Sequence, residues 1–348
     1  MGAFGDVSLT NRTLRVTNTG NAGATGYFYP KVNLVSNMIF YIAGNAQINQ
    51  VSSVDLDTGA ASYRATLSRP EASLVDSLGN NYAIFANYIE QYDSLFMVKK
   101  WTSMSKDGMH KDKSRGGGQN TSFDDGEYLW LYDAEYATHM HKIKISDGTS
   151  ISIPLTTHVT NGGPFDAFHV SKKQECIYLI KRTVLFKLDK TFKTIIWQVN
   201  LSVAGSSSAS YPSLSVDDDE QVVYIIWGNP SNNKTGEKYA WKISASGSVL
   251  VGPVVHKYSG DYRLGNLPGY DEHLKNFSKG KNSLFIRHKD DLYFLDKNTL
   301  LTIESSYLIP SNFSSAYHTR LLSSSKLLIL RSYYVDSAAV IESKIKLL

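Results

Sequence analysis

The chain has 348 residues, with 36 Lys and Arg against 32 Asp and Glu, a formal net charge of +4. A charge this balanced argues against a dedicated nucleic-acid-binding protein, whose positive charge is normally concentrated on one face. Apolar residues make up 42% of the chain and charged residues 20%, a composition that can bury a core and excludes intrinsic disorder. The one cysteine, Cys176, excludes a disulfide framework and any cysteine-based zinc site.

The N-terminal segment carries no targeting signal of a familiar kind. Asp6 stands where a secretory signal would need an apolar run. The longest apolar stretches, such as 222–227, are far shorter than the roughly 18 residues that cross a bilayer. We therefore expect no export signal and no membrane span, and a protein that stays in the cytoplasm or is assembled into a virion.

Seven short β-forming runs recur along the chain at a spacing of about 45 residues in most cases. They are 38–43, 82–87, 127–133, 176–181, 222–228, 283–288 and 327–334. A period of about 40–50 residues built from strands is typical of a β-propeller, in which each repeat forms one four-stranded blade. The sequence therefore predicts an all-β fold, a seven-bladed β-propeller in a single domain over residues 1–348.

Four strands, here termed a to d, fill a complete repeat. The predicted blades lie near 26–67, 73–108, 119–156, 165–201, 212–256, 274–309 and 315–348. In the fourth blade the strands are predicted at 165–171, 176–181, 183–189 and 194–200. Asp, Gly, Asn and Ser in the short a–b and c–d turns support this assignment, because tight hairpins need residues that tolerate positive φ or cap their own backbone. These turns share one face of a propeller, and the b–c and d–a loops share the other.

The last repeat has three predicted strands, and a fourth is missing. They lie near 315–323, 326–334 and 338–348. The segment 7–18 is strand-like and belongs to no repeat of its own. We therefore predict that residues 1–18 supply the outer strand of the last blade, which closes the ring and removes an exposed sheet edge.

One signature within the repeats points to a family of blades. An apolar strand that ends in Leu-Asp-x-x-Thr, followed by a strand with a tryptophan, occupies 185–198, and weaker copies occur at 56–59 and 294–299. This signature resembles the quinoprotein-like (PQQ-like) β-propeller repeat. The quinone-dependent dehydrogenases of that superfamily are exported, and many use an adjacent cysteine pair and a calcium site. Because this chain has one cysteine, the resemblance is limited to the blade, and we expect no cofactor.

Other candidates for chemistry are weak. His139 and His141 lie two residues apart on a predicted strand and so share a face; that would suit half of a metal site, but two polar residues on a partly exposed strand are the favoured interpretation. The acidic run 217–220 lacks the alternating spacing of calcium loops and is interpreted as a solvated turn. Cys176 begins an apolar strand, where a buried thiol is expected. The sequence predicts no catalytic residues and no metal site.

The long connections predict where binding residues lie. Segments 102–120, 230–237 and 256–273 fall on the face of the b–c and d–a loops, and long ordered loops are disproportionately functional. The first is rich in cations, and the third mixes tyrosine and arginine as interface hot spots do; flexible, solvated insertions are the alternative. The candidate partner-binding residues are Lys106, His110, Lys111, Lys113, Arg115, Tyr258, Tyr262, Arg263 and Tyr270.

Together these features predict a non-enzymatic structural or recognition propeller with protein partners in a larger assembly. The Tyr-, Ser- and Asn-rich composition would suit a receptor-binding bacteriophage tail or other virion surface protein. The alternative is a carbohydrate-binding or glycan-active propeller, which as an enzyme would need carboxylates converging near the axis, about 5–10 Å apart. Nucleic-acid binding through 102–120 would depend steeply on salt, and the near-neutral remainder of the chain argues against it.

Overall fold

A computed structural model shows how the chain is arranged. The structure describes residues 10–15, 31–44, 48–58, 60–68, 70, 72–85, 88–104, 122–132, 139–155, 167–203, 210–228, 237–257, 283–288, 291–305, 317–323, 326–331 and 337–342. Every regular element in these ranges is a β-strand, as the sequence predicts. No helix long and apolar enough to cross a membrane occurs among them.

The first half of the described chain contains three complete sheets and one strand that joins the last sheet. The first strand is β1 (Thr10–Arg15). Sheet 1 contains β2 (Lys31–Asn33), β3 (Met38–Gly44), β4 (Ile48–Asp55) and β5 (Ala61–Ser68). Sheet 2 contains β6 (Ala72–Val75), β7 (Asn81–Ile84), β8 (Tyr88–Tyr92) and β9 (Lys99–Met104). Sheet 3 contains β10 (Ser122–Asp124), β11 (Tyr128–Tyr132), β12 (His139–Lys144) and β13 (Ser150–Pro154).

The second half adds four further sheets. Sheet 4 contains β14 (Ala167–Ser171), β15 (Cys176–Lys181), β16 (Val184–Asp189) and β17 (Ile195–Asn200). Sheet 5 contains β18 (Ser210–Asp217), β19 (Val222–Gly228), β20 (Glu237–Ser244) and β21 (Val249–Lys257). Sheet 6 contains β22 (Ser283–His288), β23 (Asp291–Asp296) and β24 (Thr302–Ser305). Sheet 7 contains β25 (Tyr317–Ser323), β26 (Lys326–Arg331) and β27 (Ser337–Glu342).

In sheets 1 to 6 the strands form an antiparallel meander in chain order, and β25, β26 and β27 of sheet 7 do the same. The described residues thus form one sheet within each of the seven predicted repeats, and every predicted apolar run overlaps a strand. In the fourth repeat the predicted and observed strand ends agree to within two residues. Strand a of the sixth predicted blade lies outside the described residues, so sheet 6 is described from its second strand onward.

The N-terminal strand completes the last sheet. β1 pairs antiparallel with β27, with Thr10 opposite Glu342 and Arg15 opposite Ser337. The other edge of β27 pairs with β26. The predicted closure by the N-terminal segment is therefore confirmed, and β27 has a paired neighbour on each side.

The hydrophobic core is divided among the junctions between consecutive sheets. On β15 all six residues are buried; Cys176, Tyr178 and Ile180 pack toward sheet 5, whereas Ile177 and Leu179 pack toward sheet 3. Successive side chains of a strand point to opposite faces, so a strand with a packed neighbour on both faces is apolar at every position. This explains why the second strand of each repeat is a continuous apolar run, while the outer strand β17 alternates half-buried and exposed residues.

A tryptophan on the outer strand of sheet 2 docks onto sheet 3. The indole N–H of Trp101 donates to the carbonyl oxygen of Ile145 at 2.9 Å. The ring also covers Gly148, whose φ is +76° and where a Cβ would lie 2.7 Å from the indole. Glycine is required there on two grounds, since the backbone is left-handed and the ring occupies the space of a side chain.

The same arrangement joins sheets 4 and 5. Trp197 donates its indole N–H to the carbonyl oxygen of Ala245 at 2.9 Å. Its ring lies over Gly247, which has a φ of +89° and where a Cβ would lie 3.0 Å from the ring. The tryptophan of the quinoprotein-like signature therefore packs against a glycine in the turn of the following sheet.

Removal of residues 1–18 should lower the melting temperature. Deletion breaks the backbone pairing of the six residues of β1 and exposes an edge of sheet 7, so we expect a fall of about 5–10 °C. Thermal unfolding followed by circular dichroism measures this. An unchanged melt would show that β1 contributes nothing to the ring.

The tryptophan–glycine pairing can be tested with two glycines of similar backbone. Gly148→Ala should lower the free energy of unfolding by about 2–4 kcal/mol, through backbone strain and collision with Trp101. Gly126→Ala is the matched control, because its φ is +83° and nothing lies within 4 Å of the new Cβ; strain alone should cost about 1 kcal/mol. Urea unfolding of both variants gives the difference, and equal losses would contradict a role for the ring.

Candidate functional site

The nine partner-binding residues predicted from the long loops, from Lys106 to Arg115 and from Tyr258 to Tyr270, lie outside the described residues. Their role stays a prediction. The ends of these segments are more regular than predicted, since 102–104 belong to β9 and 256–257 to β21.

A short polar side chain at the end of the first strand fixes each described a–b turn. Its oxygen accepts a hydrogen bond from a backbone N–H two to four residues further on, which fixes the turn locally. This role falls to Asn33, Asp76, Asp125, Ser171 and Asp217. The turns of this face are therefore rigid, and the side chains they present are held in place.

Asn33 also joins the turns of two sheets. Its side chain is completely buried, and its Oδ1 accepts hydrogen bonds from the backbone of Val35 and Ser36 at 3.1 and 3.2 Å. Its Nδ2 donates to the carbonyl oxygens of Gly79 at 2.8 Å and Ser94 at 3.3 Å. One carboxamide thus holds the a–b turn of sheet 1 against both turns of sheet 2.

Large apolar side chains project from these three turns. We call them the turn patch; its residues, between 39% and 62% exposed, are Leu34, Val35, Leu78, Leu95, Met97 and Val98. The side chain of Val35 in sheet 1 lies against Gly79 in sheet 2, where an added Cβ would be only 2.5 Å from Cβ of Val35. The patch is therefore continuous across the two sheets. Single exposed apolar residues are ordinary on a protein surface, whereas a group of them marks a binding surface.

The c–d turn of sheet 2 shows how its patch residues are held outward. Phe96 points the other way, is buried, and stacks on Tyr92 with ring centroids 4.6 Å apart. Oδ1 of Asp93 accepts hydrogen bonds from the backbone of Met97 at 2.7 Å and Val98 at 3.2 Å. The inward ring and the capped backbone leave the neighbouring side chains facing solvent.

The turn patch does not coincide with any residue predicted from the sequence, because those predictions fall on the long loops. A signal was available in the residue types themselves. Short hairpin turns normally carry polar residues, yet Leu34 and Val35 occupy one turn and Leu95, Met97 and Val98 another. The structure of a turn does not require large apolar residues. Their presence in these turns therefore indicates that the turns could contact a partner.

Arg64 on β5 borders the patch and is half-buried. Its Nε donates to Oγ of Ser53 at 2.6 Å. Its Nη2 lies 3.3 Å from Sδ of Met38, and its Nη1 lies 3.8 Å from Sδ of Met97. The guanidinium is therefore positioned by a hydroxyl and two thioethers at the edge of an apolar surface.

The acidic run that begins at Asp217 is only in part the solvated turn that the sequence predicts, because Asp219 and Glu220 are exposed whereas Asp217 is buried. Asp217 is 5% exposed, and its Oδ2 accepts a hydrogen bond from Nζ of Lys297 at 3.1 Å. Glu220 accepts from the same Nζ at 3.1 Å, and Asp218 accepts from Ser171. The run ties sheet 5 to sheets 4 and 6, a role that depends on a lysine 80 residues away and is invisible in the local sequence.

Residues of sheet 4, the preceding sheet, control the ionisation of the Asp218 carboxyl group. Burial would raise the pKa of this carboxyl group, but hydrogen bonds from His169 and Ser171 outweigh it, so the pKa lies below its ordinary value. The carboxylate is therefore ionised at neutral pH. Because the folded pKa is depressed, its contribution to stability is present at neutral pH and is lost as the pH falls through that pKa.

The remaining candidates do not form a reactive centre in the described part of the chain. His139 and His141 lie on β12, and His141 is buried. The described ranges contain no group of three or more His, Cys, Asp or Glu side chains that could hold a metal ion. Cys176 is fully buried, and burial raises the pKa of its thiol, which disfavours the reactive thiolate.

The fold is similar to that of known proteins. No family model matches the chain, and no curated protein matches it. Hydrazine synthase from Kuenenia stuttgartiensis is similar in structure, with a TM-score of 0.59 and 13% identity over 94% of this chain and 98% of that chain. The Cps50 (Swd1) β-propeller domain from Myceliophteria thermophila has a TM-score of 0.56 and 9% identity over 97% of this chain and 99% of that one.

BamB from Moraxella catarrhalis has a TM-score of 0.50 and 14% identity over 93% of this chain and 85% of that chain. Identities this low show the fold alone. The protein is therefore an all-β protein of the β-propeller class. The propeller implied by the repeat signature is confirmed, and its quinoprotein-like character stays a prediction.

The buried ion pair between sheets 5 and 6 should be essential for stability. Lys297→Met leaves the carboxylate of Asp217 buried without its cation, so we expect a loss of about 3–5 kcal/mol in the free energy of unfolding. The double variant Asp217→Asn, Lys297→Met should lose less, since the uncompensated charge is gone while the amide oxygen can still cap the turn. Urea unfolding compares the two, and a double variant worse than Lys297→Met would contradict a charge-based effect.

Proposed function

We propose that this β-propeller is a non-enzymatic recognition module, which binds a protein partner within a larger assembly through its turn patch. The observation that carries the proposal is the group of six exposed apolar side chains on three turns of sheets 1 and 2. Folding of sheets 1 and 2 does not need these side chains, because their own junction is already filled by a separate buried cluster. Their exposure is explained by a partner that covers them.

The rigidity of the turns supports the same proposal. Asp76 accepts hydrogen bonds from the backbone of Leu78 and Asn80, as Asn33 and Asp93 do in the two neighbouring turns. A surface whose backbone is fixed before binding loses little conformational entropy when a partner arrives. The turn patch therefore has the character of a preformed binding surface.

We also propose the setting of this module. The Tyr-, Ser- and Asn-rich composition supports a virion surface, such as a phage tail, with the chain present in the cytoplasm before assembly. The quinoprotein-like repeat would then supply the blade architecture and no redox chemistry. The loop segments 102–120 and 256–273 would add contacts on the opposite face. Copurification of the protein with particles tests this setting, and its absence from purified particles would contradict it.

The turn patch can be tested by replacing apolar surface without touching the core. In the variant Leu78→Ser, Met97→Ser, Val98→Ser, the native complex should fall at least about tenfold in abundance, because clustered apolar contacts carry most of an interface's binding energy. The measurement is sedimentation of the tagged full chain expressed in its natural source.

The matched control replaces exposed apolar residues by serine on other sheets. Ile151→Ser, Ile196→Ser, Leu250→Ser alters residues that are 54%, 52% and 51% exposed on the outer strands of three other sheets. This control should sediment with the complex as the unaltered chain does. A patch variant that melts normally and still sediments in the complex would refute the proposal.

A further inference from the structure

We infer that the turn patch takes a protein segment in which an aspartate or glutamate lies next to a large apolar residue, with the carboxylate paired to Arg64. This inference rests on the proposed function and names the chemistry of the partner. The supporting features are the unsatisfied donors of Arg64, the engagement of the other charges around the patch, and the apolar surface that adjoins the guanidinium.

Arg64 has hydrogen-bonding capacity left over. A guanidinium carries five N–H donors, and its contacts are one hydroxyl, of Ser53, and two thioethers, of Met38 and Met97. Thioether sulfur is a weak acceptor. In the described part of the chain no carboxylate lies within ion-pairing distance of Arg64, so its positive charge is available to a partner.

The other charged groups at the patch are already engaged. Lys99 pairs with Glu90 at 3.0 Å, and Lys100 donates to the side-chain oxygen of Asn80 at 2.6 Å. Among the nearby carboxylates, Asp93 accepts from the turn backbone, and Asp57 accepts from Asn37 at 2.7 Å. Among the described residues at this edge, Arg64 is therefore the charged group whose pairing is incomplete.

The geometry favours a carboxylate over other acceptors. The planar guanidinium matches a carboxylate in a two-pronged hydrogen bond, and it is weakly hydrated, which suits pairing beside apolar surface. The Nε of the guanidinium is held by Oγ of Ser53, so little freedom is lost on pairing. Nucleic acid would need several available cations rather than six apolar side chains, and the patch therefore fits a protein segment.

The experiment uses the full chain and a display library of random 12-residue peptides. Peptides enriched on the unaltered chain should carry Asp or Glu next to an aliphatic or aromatic residue. One enriched peptide, synthesised, should bind Arg64→Met about tenfold or more weakly, as for loss of a charge-assisted hydrogen bond, while Arg64→Lys retains part of the affinity. Fluorescence anisotropy measures the binding.

A double-mutant cycle keeps the inference falsifiable even if Arg64→Met melts early. Replacing the peptide's acidic residue by its amide needs no change in the protein, and it should weaken binding to the unaltered chain but not to Arg64→Met or its substitute Arg64→Gln. The inference is overturned by enriched peptides without acidic residues, by additive effects in the cycle, or by no enrichment beyond that on the triple patch variant. Sedimentation that shows self-association through the patch would also overturn it.

The outcome separates this inference from the proposed function. If Arg64→Met leaves the native complex intact while the triple patch variant dissolves it, the patch binds its partner without the acidic contact, and only the inference fails. If neither variant changes the complex, the proposed function fails as well.

Discussion

The alternation of side chains along the central strands is the constraint on which the rest of the structure depends. Each buried strand such as β15 has one set of residues at the junction with the preceding sheet and the other at the junction with the following sheet. A sheet stabilised in this way has no solvent-facing side at its centre, and its stability depends on both neighbours. The turns at its ends are therefore positioned by the packing of the junctions, as the docking of Trp101 on the turn of the next sheet illustrates.

Much of this architecture can be predicted from the sequence, because its cause is local and repeated. Continuous apolar runs, turn residues and a regular period predict the strands of sheet 4 almost residue by residue, and the missing last strand predicts the role of β1. What the sequence does not reveal is which polar residues meet. Lys297 lies 80 residues from Asp217, and no pattern near either residue indicates the pair.

The turn patch escapes prediction for a related reason. The turn patch is assembled from three short turns of two sheets, which the buried carboxamide of Asn33 ties together. Asn33 itself resembles any turn residue in the sequence. Long loops attract attention in a sequence because they are long, whereas a surface made of short turns is visible only when the sheets are packed together.

Closure by β1 also shapes how the protein reaches its folded state. The strand that completes sheet 7 is synthesised before its partner β27, which lies more than 300 residues further along the chain. Until β27 has been synthesised, β1 lacks its partner strand, and its backbone can pair with any other exposed edge. The ring therefore cannot close until β27 has been made and has paired with β1. Exchange of this strand between two nascent copies is the misfolding hazard that the topology builds in.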